Sequence, residues 1–495
     1  MQLLNKFFSL IIFSCLVQLC FAQNAPKPYG AIPSERQLAW QEREMYVIMH
    51  FTPTTFQNKE WGFGDADPAI FNPSNFNAKN IVAAVKAGGF KGITVVAKHH
   101  DGFALWPTHS TEYNITKSPF RNGKGDLVKE MQEATTQAGL GFGIYCSPWD
   151  RNNANYSKPA YINEVYYKQL EELYSNYGQL HTVFYDGANG GDGYYGGAKE
   201  KRSIDASTYY NYEKIWTIVR KMQPNASIFS DIGPDIRWVG NESGFAAETS
   251  WSTLTPISPV KDKKPSPGFV VEKDLPTGTR NGTFWTPAEC DVPLRPGWFY
   301  HPEQDGKTKT PAQLLDIYYN SVGRSASLDL GIAPMPSGEL HPDDIKSLRE
   351  FGNILKQTFS LNLATGAKIK ASNVRGKNAK YAPDNLVDKD RYSYYATDDS
   401  VTNADLVFEL KNKSRFNVIR LRENIKLGQR IEAVTVDAWI DNSWKQIGQA
   451  TSIGGNRLIR LNKYFESDKV RLRILKSPVC IALSDFGLFA EPNLN

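Results

Sequence analysis

The stretch TVFYDGANG, residues 182–190, runs from β-branched and aromatic residues straight into Asp186, then a glycine, then a polar turn. Its first half reads as a buried strand. What needs explaining is the carboxylate at the tip. An aspartate at the end of a strand can cap the loop or helix that follows. It can also be chemical, because the catalytic groups of an α/β barrel stand at the C-terminal ends of its strands. The flanking sequence bears on the choice.

Outward from this stretch the chain alternates between two periodicities. Strand-like runs cover 44–51, 92–103, 141–148, 181–187 and 227–233, and the less regular 245–251 and 327–333. Helical periodicity covers 77–90, 126–140, 163–178 and 209–224. Strands alternating with helices imply parallel βαβ units. So many in a row predict an α/β fold with a closed, in places irregular, (β/α)8-type barrel. A last helical pattern at 343–359 precedes a change of grammar. From about 365 to 491 only short strand-like segments and turns occur, the pattern of an all-β sandwich. The expected division is a barrel over 23–362 and a sandwich over 363–495.

Residues 1–22 carry one positive charge, Lys6, then an apolar run, then Cys20-Phe21-Ala22, which reads as a secretory signal. Cys15 within it is a candidate for lipidation. No other segment is apolar for long enough to span a membrane. The remaining cysteines, Cys146, Cys290 and Cys480, are too widely spaced for a disulfide framework or a zinc site. The net charge of +5, from 57 basic and 52 acidic residues, is not clustered, which argues against nucleic acid as a partner. Oligomeric state is not legible.

Three of the seven histidines fall at expected strand ends: His50 in MHF, and His99 and His100 in KHHDGF, followed by Asp101. A His-His-Asp cluster can bind metal, but adjacent histidines on a strand point to opposite faces, and no third ligand stands at a sharp spacing. No metal or cofactor is expected. Hydrogen bonding to a polyhydroxylated ligand fits better, since each imidazole can donate and accept.

Five motifs in series, MHFTPTTFQNKEWGFG (49–64), KHHDGFALW (98–106), FYDGANG (184–190), GPDIRWVGNESG (233–244) and RPGWFYH (295–301), resemble the α-L-fucosidases of glycoside hydrolase family 29. The branch that cleaves α-1,3/1,4-linked fucose is the most similar, over residues 35–360. The resemblance implies a retaining exo-acting enzyme with Asp186 as nucleophile and Glu242 of GNE as general acid/base. Glu248 and Asp231 are rivals for the acid. It implies a sugar-binding shell of His50, Glu60, Trp61, His99, His100 and Trp298, with Tyr145 less firmly placed. HFTPTTF stands where many relatives have His-Phe-Gly, so the loop after His50 departs from the pattern. For branched Lewis-type glycans, contacts to galactose are expected around Asp235, Arg237 and Trp238. Fucosylated oligosaccharides or glycoconjugates are the implied partners.

Alternatives are a broad-specificity fucosidase and a catalytically silent fucose-binding protein, although the latter should lack one of the two carboxylates. Asn241 begins a glycosylation sequon beside Glu242, and a glycan there would block the site. That points to a bacterial periplasm or cell surface. ATGAKIKASNVRG (364–376) and NLVDKDRYSYYATDD (385–399) resemble discoidin-like domains, whose acidic loop offers candidate calcium ligands.

Overall fold

The computed structural model describes residues 24–493; the signal reading of 1–22 and Cys15 lie outside the described residues. Eight parallel strands form a closed barrel. They are β1 (Met45–Met49), β2 (Gly92–Lys98), β3 (Gly141–Cys146), β4 (Thr182–Phe184), β5 (Ser227–Ser230), β6 (Ile236–Trp238), β7 (Ala288–Pro293) and β8 (Ser327–Ile332). Each pairs with the next in sequence, and β8 closes on β1 with Leu328 opposite Met45. Both faces of these strands are covered, which is why β1 to β5 and β8 read as largely apolar runs. Tyr46, Ile48, Val96, Tyr145, Phe184, Phe229 and Ile236 form an interior cluster, joined by Trp40 of the helix Glu35–Arg43. Phe184 and Phe229 stack with centroids 3.9 Å apart. The tips of the strands therefore rest on packed aromatic rings.

The outer ring is incomplete. Helices Ala78–Ala87, Leu127–Gln137, Tyr167–Asn176 and Tyr212–Met222 follow β1 to β4, and Pro311–Asn320 and Pro342–Phe359 follow β7 and β8. Between β5 and β6 there are only residues 231–235. After β6 the chain makes a long excursion, 239–287, whose only regular pieces are two short strands and a single 3-10 turn. Arg237 holds this excursion. Strand alternation turns Ile236 and Trp238 inward, so Arg237 between them points out. Its buried guanidinium donates to the carbonyls of Leu275 and Trp251, both at 2.9 Å, and to that of Thr286.

Several sequence expectations need correction. Residues 245–251 are not a strand. The sixth and seventh barrel strands are β6 and β7, which the pattern did not flag, and the helices 35–43 and 311–320 were also not anticipated. β6 has three residues with an arginine in the middle, and β7, AECDVP, carries two acids and a proline. Glu289 and Asp291 are buried nonetheless, because β7 turns them towards the barrel interior. A polar interior defeats a reading based on apolar periodicity.

The second domain is a seven-stranded antiparallel sheet. Four of the segments expected from sequence merge into two strands of 20 residues, Ala404–Glu423 and Arg457–Lys476. Their polar midpoints look like turns but remain paired, Ser414 opposite Ser467 and Arg415 opposite Glu466. The two ends of this ribbon join different neighbours: 404–409 takes Lys368–Ala371, and 418–423 takes Ala482–Phe489. The stacking of Phe408 on Phe486, centroids 3.9 Å apart, packs the two halves face to face. In the acidic loop, Asp398 accepts from Asn373 and Gly376, Asp388 accepts from Ser393, and Asp399 pairs with Arg375. Its carboxylates thus serve the protein's own donors.

The two domains share a broad polar interface. Glu44, just before β1, pairs with Arg422 at 3.0 Å and Arg391 at 3.3 Å. Burial works to raise its pKa, but these arginines and Lys91 outweigh it and hold the carboxyl at about 2. Gln429 bonds Ser250 and Ser252, and Arg457 and Arg324 pair with Glu248. Among the described residues no helix is long and apolar enough to cross a membrane.

Candidate active site

The residues flagged from sequence come together at the C-terminal mouth of the barrel. Asp186 follows β4 and is a third exposed. Its Oδ1 accepts from the backbone N–H of Ala188 at 2.7 Å and its Oδ2 from the hydroxyl of Tyr145, on β3, at 3.2 Å. From Tyr145 a chain of side-chain contacts runs round the mouth. Tyr145 stacks on His99 (6.0 Å between centroids), His99 meets His50 edge-on (5.5 Å), and His50 lies against Trp298 (5.2 Å). Trp298 then donates its indole N–H to Glu242 Oε2 at 3.1 Å. Asp186 and Glu242 line one pocket of about 270 Å³.

Each member is set by local structure. His50 follows the last residue of β1, with its N–H on the carbonyl of Ile332. Trp298 lies flat against β8 because position 331 is glycine; a Cβ there would sit 2.6 Å from the indole. Glu60 accepts from the backbone N–H of Trp298, from that of Phe299 at 3.3 Å, and from His301 at 2.9 Å. It therefore anchors the strap that carries Trp298. Trp61 is half-exposed and stands edge-on to His100 at 5.2 Å.

His99 and His100 correct the expectation that they face opposite sides. The strand ends at Lys98, so both lie in the turn beyond it, and their rings are 4.1 Å apart. Burial, helped by mutual repulsion, pushes His50 down to about 3 and His99 well below its ordinary value. Burial likewise takes His100 to about 4 against the pull of Asp186. All three are neutral at physiological pH, and each can donate with one nitrogen and accept with the other. The Ser147 hydroxyl donates to the carbonyl of Trp149 (2.8 Å), so at 2.7 Å it accepts from His100 Nδ1–H. That tautomer leaves His100 Nε2 as an acceptor, 3.8 Å from Asp186.

Asp235 and Arg237 do not belong to this site. Strand alternation puts Arg237 outside the barrel, against the 239–287 excursion. Asp235 is buried beside β5, where it accepts from the N–H of Ile228 (2.8 Å), from Arg36 (3.1 Å) and from Arg220. Both are structural. Glu248 is held in the domain interface. Their neighbour Trp238 does line the pocket.

The sequence reading named Asp231 only as a rival acid and missed Glu272 and Asp291. Five carboxyl groups line the pocket: Asp186, Asp231, Glu242, Glu272 and Asp291. Asp291, on β7, accepts from Trp238 Nε1 at 2.8 Å, and burial, with Glu242 and Asp186 nearby, pushes its pKa well up. Asp231, after β5, accepts from the N–H of Gly268 at 2.7 Å. Burial, then the charges of Asp186 and Glu272, raise it to about 7. The signal that flagged Asp186, a carboxylate at the end of a short buried run, was present in FSDIG and CDVP too. Among the described residues no group of three or more His, Cys, Asp or Glu side chains is arranged to hold a metal.

The raised Asp231 has a measurable consequence. Below about pH 4 the carboxyl is protonated in the folded and unfolded chains alike. Between about 4 and 7 the unfolded chain releases a proton that the folded site retains, so this group's contribution to stability declines as pH rises. Asp231→Asn keeps an acceptor for Gly268 and removes the titration. Urea unfolding of both proteins is expected to show the wild type losing about 2–3 kcal/mol relative to the variant between pH 5 and 8. A pH-independent difference would mean that Asp231 is not held protonated by the fold.

Comparison with known proteins identifies the family. The family model for α-L-fucosidase matches residues 29–358. Alpha-L-fucosidase 1 of Arabidopsis thaliana is 38% identical over 469 residues, covering 94% of this chain and 89% of its own. The crystal structure of a glycoside hydrolase 29 family member from an unknown rumen bacterium superposes with a TM-score of 0.82 at 35% identity, covering 95% of this chain and 79% of that one. A Ruminococcus gnavus GH29 fucosidase in complex with fucose gives 0.83 at 28% identity, covering 95% and 98%. With its family model matched across the barrel and its relatives matched through both domains, this chain belongs to the α-L-fucosidase family, glycoside hydrolase family 29, and is an α-L-fucosidase.

Proposed function

We propose that the enzyme is a retaining, exo-acting α-L-fucosidase that removes α-1,3/1,4-linked fucose from branched Lewis-type glycans. The observation that carries the mechanism is that Asp186 and Glu242 face one pocket, Asp186 with oriented donors and Glu242 at the rim beside Trp298. Two carboxyl groups flanking a glycosidic bond, about 5–5.5 Å apart, support double displacement. Asp186 attacks the anomeric carbon while Glu242 protonates the departing oxygen. Glu242 then takes a proton from water, which releases fucose with its configuration retained. The tight turn at Ala188 holds one oxygen of Asp186, which leaves the other to attack.

The neutral histidines suit fucose hydroxyls. His100 Nε2 accepts, and the Nδ1 atoms of His50 and His99 are buried without a partner among the described residues. Trp298 offers an apolar face to the C5 methyl of the 6-deoxy sugar, worth about 0.8 kcal/mol. Glu60 acts through the strap that it holds. Trp61, at the far rim, closes over the sugar.

The linkage reading rests on the resemblance of the 184–190 and 233–244 stretches to the Lewis-cleaving branch. Binding energy from a second sugar on the same N-acetylglucosamine would then be used in the chemical step. The test is kcat/KM for a Lewis a or Lewis x trisaccharide, for its analogue without galactose, and for an α-1,2-fucosyl glycan. The trisaccharide is expected to exceed both by at least about tenfold, a difference of about 1.4 kcal/mol. Equal values would favour a broad-specificity fucosidase. We further propose export through residues 1–22 to a bacterial periplasm or surface, with the C-terminal sheet acting as a discoidin-like module.

A further inference from the structure

The gap in the outer ring, where no helix joins β5 to β6, holds a second cavity of about 600 Å³. One wall is the first turn of the helix Tyr212–Met222, where Tyr212 and Trp216 stack at 5.1 Å. Residues 264–267 and Phe284, which is 56% exposed, also line it. The floor is Ile232, Gly233, Pro234 and Thr286.

Three observations point to a ligand. First, the cavity adjoins the catalytic pocket along the chain: Ile232 of the cavity follows Asp231 of the pocket, and Pro267 of the cavity precedes Gly268 of the pocket. Gly268 itself donates to Asp231. Second, the only charged residues lining it, Glu213 and Lys264, pair with each other at 3.3 Å. The site therefore suits an uncharged ligand. Third, the lining combines aromatic rings with small polar side chains. Asn211 uses its Oδ1 to cap the helix, which leaves its amide nitrogen to donate, and Thr286, 1% exposed, has a hydroxyl with no hydrogen-bond partner among the described residues. An amphipathic surface of that kind matches a pyranose, whose axial C–H groups make an apolar face and whose rim carries hydroxyls.

We propose that this cavity is a second glycan subsite, which takes an uncharged pyranose of the oligosaccharide that carries the fucose, remote from the bond being cleaved. This rests on the fucosidase reading and adds a specificity determinant to it: the stack of Tyr212 and Trp216 and the ring of Phe284 form the platform.

The test uses two variants of the full chain. Phe284→Ala removes an exposed platform ring, and Thr208→Trp fills the cavity from its exposed rim. Each is assayed on a fucosylated pentasaccharide and on an aryl fucoside. Both variants are expected to lose about tenfold in kcat/KM on the pentasaccharide, chiefly through KM, and less than about twofold on the aryl fucoside. The fucose-free tetrasaccharide lacto-N-tetraose is expected to inhibit the wild type and to inhibit both variants about tenfold more weakly. Equal losses on the two substrates would make the cavity a structural support of the Asp231 and Gly268 segments and overturn the proposal, as would unchanged kinetics on both. Absence of any fucoside turnover by the wild type would instead remove the fucosidase reading.

Discussion

Asp186→Ala is expected to lower kcat on any α-L-fucoside by about 10⁵-fold, on the scale seen when a covalent nucleophile is removed, or roughly 7 kcal/mol of barrier. The fold should survive. Asp186 lies at the solvent-facing tip of β4, and the bonds it loses are one to the backbone of Ala188 and one to the Tyr145 hydroxyl. Stereochemistry separates this role from a merely structural one. With the carboxylate gone, added azide can attack the anomeric carbon directly, and the product is the inverted β-fucosyl azide. If the variant keeps activity within tenfold of wild type, or if the wild-type enzyme releases β-fucose in NMR time courses, double displacement through Asp186 is wrong. The rival would then be Asp231, which shares the pocket.

Glu242→Ala should behave differently. Loss of the acid is expected to cost about 10²–10⁴-fold on an oligosaccharide, whose departing oxygen needs a proton. An aryl fucoside with a good leaving group should still form the glycosyl-enzyme readily, so that its slow step becomes the attack by water. Azide needs no base and should restore turnover, now giving the retained α-fucosyl azide, because it intercepts the intermediate on Asp186. The opposite azide stereochemistry of the two variants is the sharpest check on the pair of assignments. Equal losses on good and poor leaving groups at Glu242, with the leaving-group pattern appearing at Asp231 instead, would move the acid role there. Glu248 is not a competitor, since it is paired with Arg457 and Arg324 in the interface between the domains.

Much of this is legible in the amino-acid sequence. The runs at 44–51, 92–103, 141–148 and 181–187 are strands because both of their faces are buried, and burial on both faces leaves a continuous apolar signature that ends where the strand does. At three of them the polar residue at the tip, His50, His99 or Asp186, then marks the mouth of the barrel. These strands and tips are legible because local composition and tertiary position agree. The agreement failed at β6 and β7. There Arg237 is buried outside the barrel on three backbone carbonyls, and Glu289 and Asp291 are buried inside it. A charged residue in a strand looks exposed until the partner or enclosure that neutralises it is known.

The sequence by itself determined the order of barrel and sheet, the identity of the strand-tip residues, and the family motifs that carry Asp186 and Glu242. Local periodicity and short motifs encode these directly. Only the tertiary structure decided which polar residues share the pocket. It placed Asp231, Glu272 and Asp291 there and withdrew Asp235 and Arg237, although Asp231 and Asp235 are four residues apart on one short loop. The reason is geometric. A side chain's direction depends on strand alternation and on how the chain returns between β5 and β6 without a helix. That return is fixed by contacts from segments distant in sequence: Arg36 on Asp235, Gly268 on Asp231, and the 239–287 excursion on Arg237.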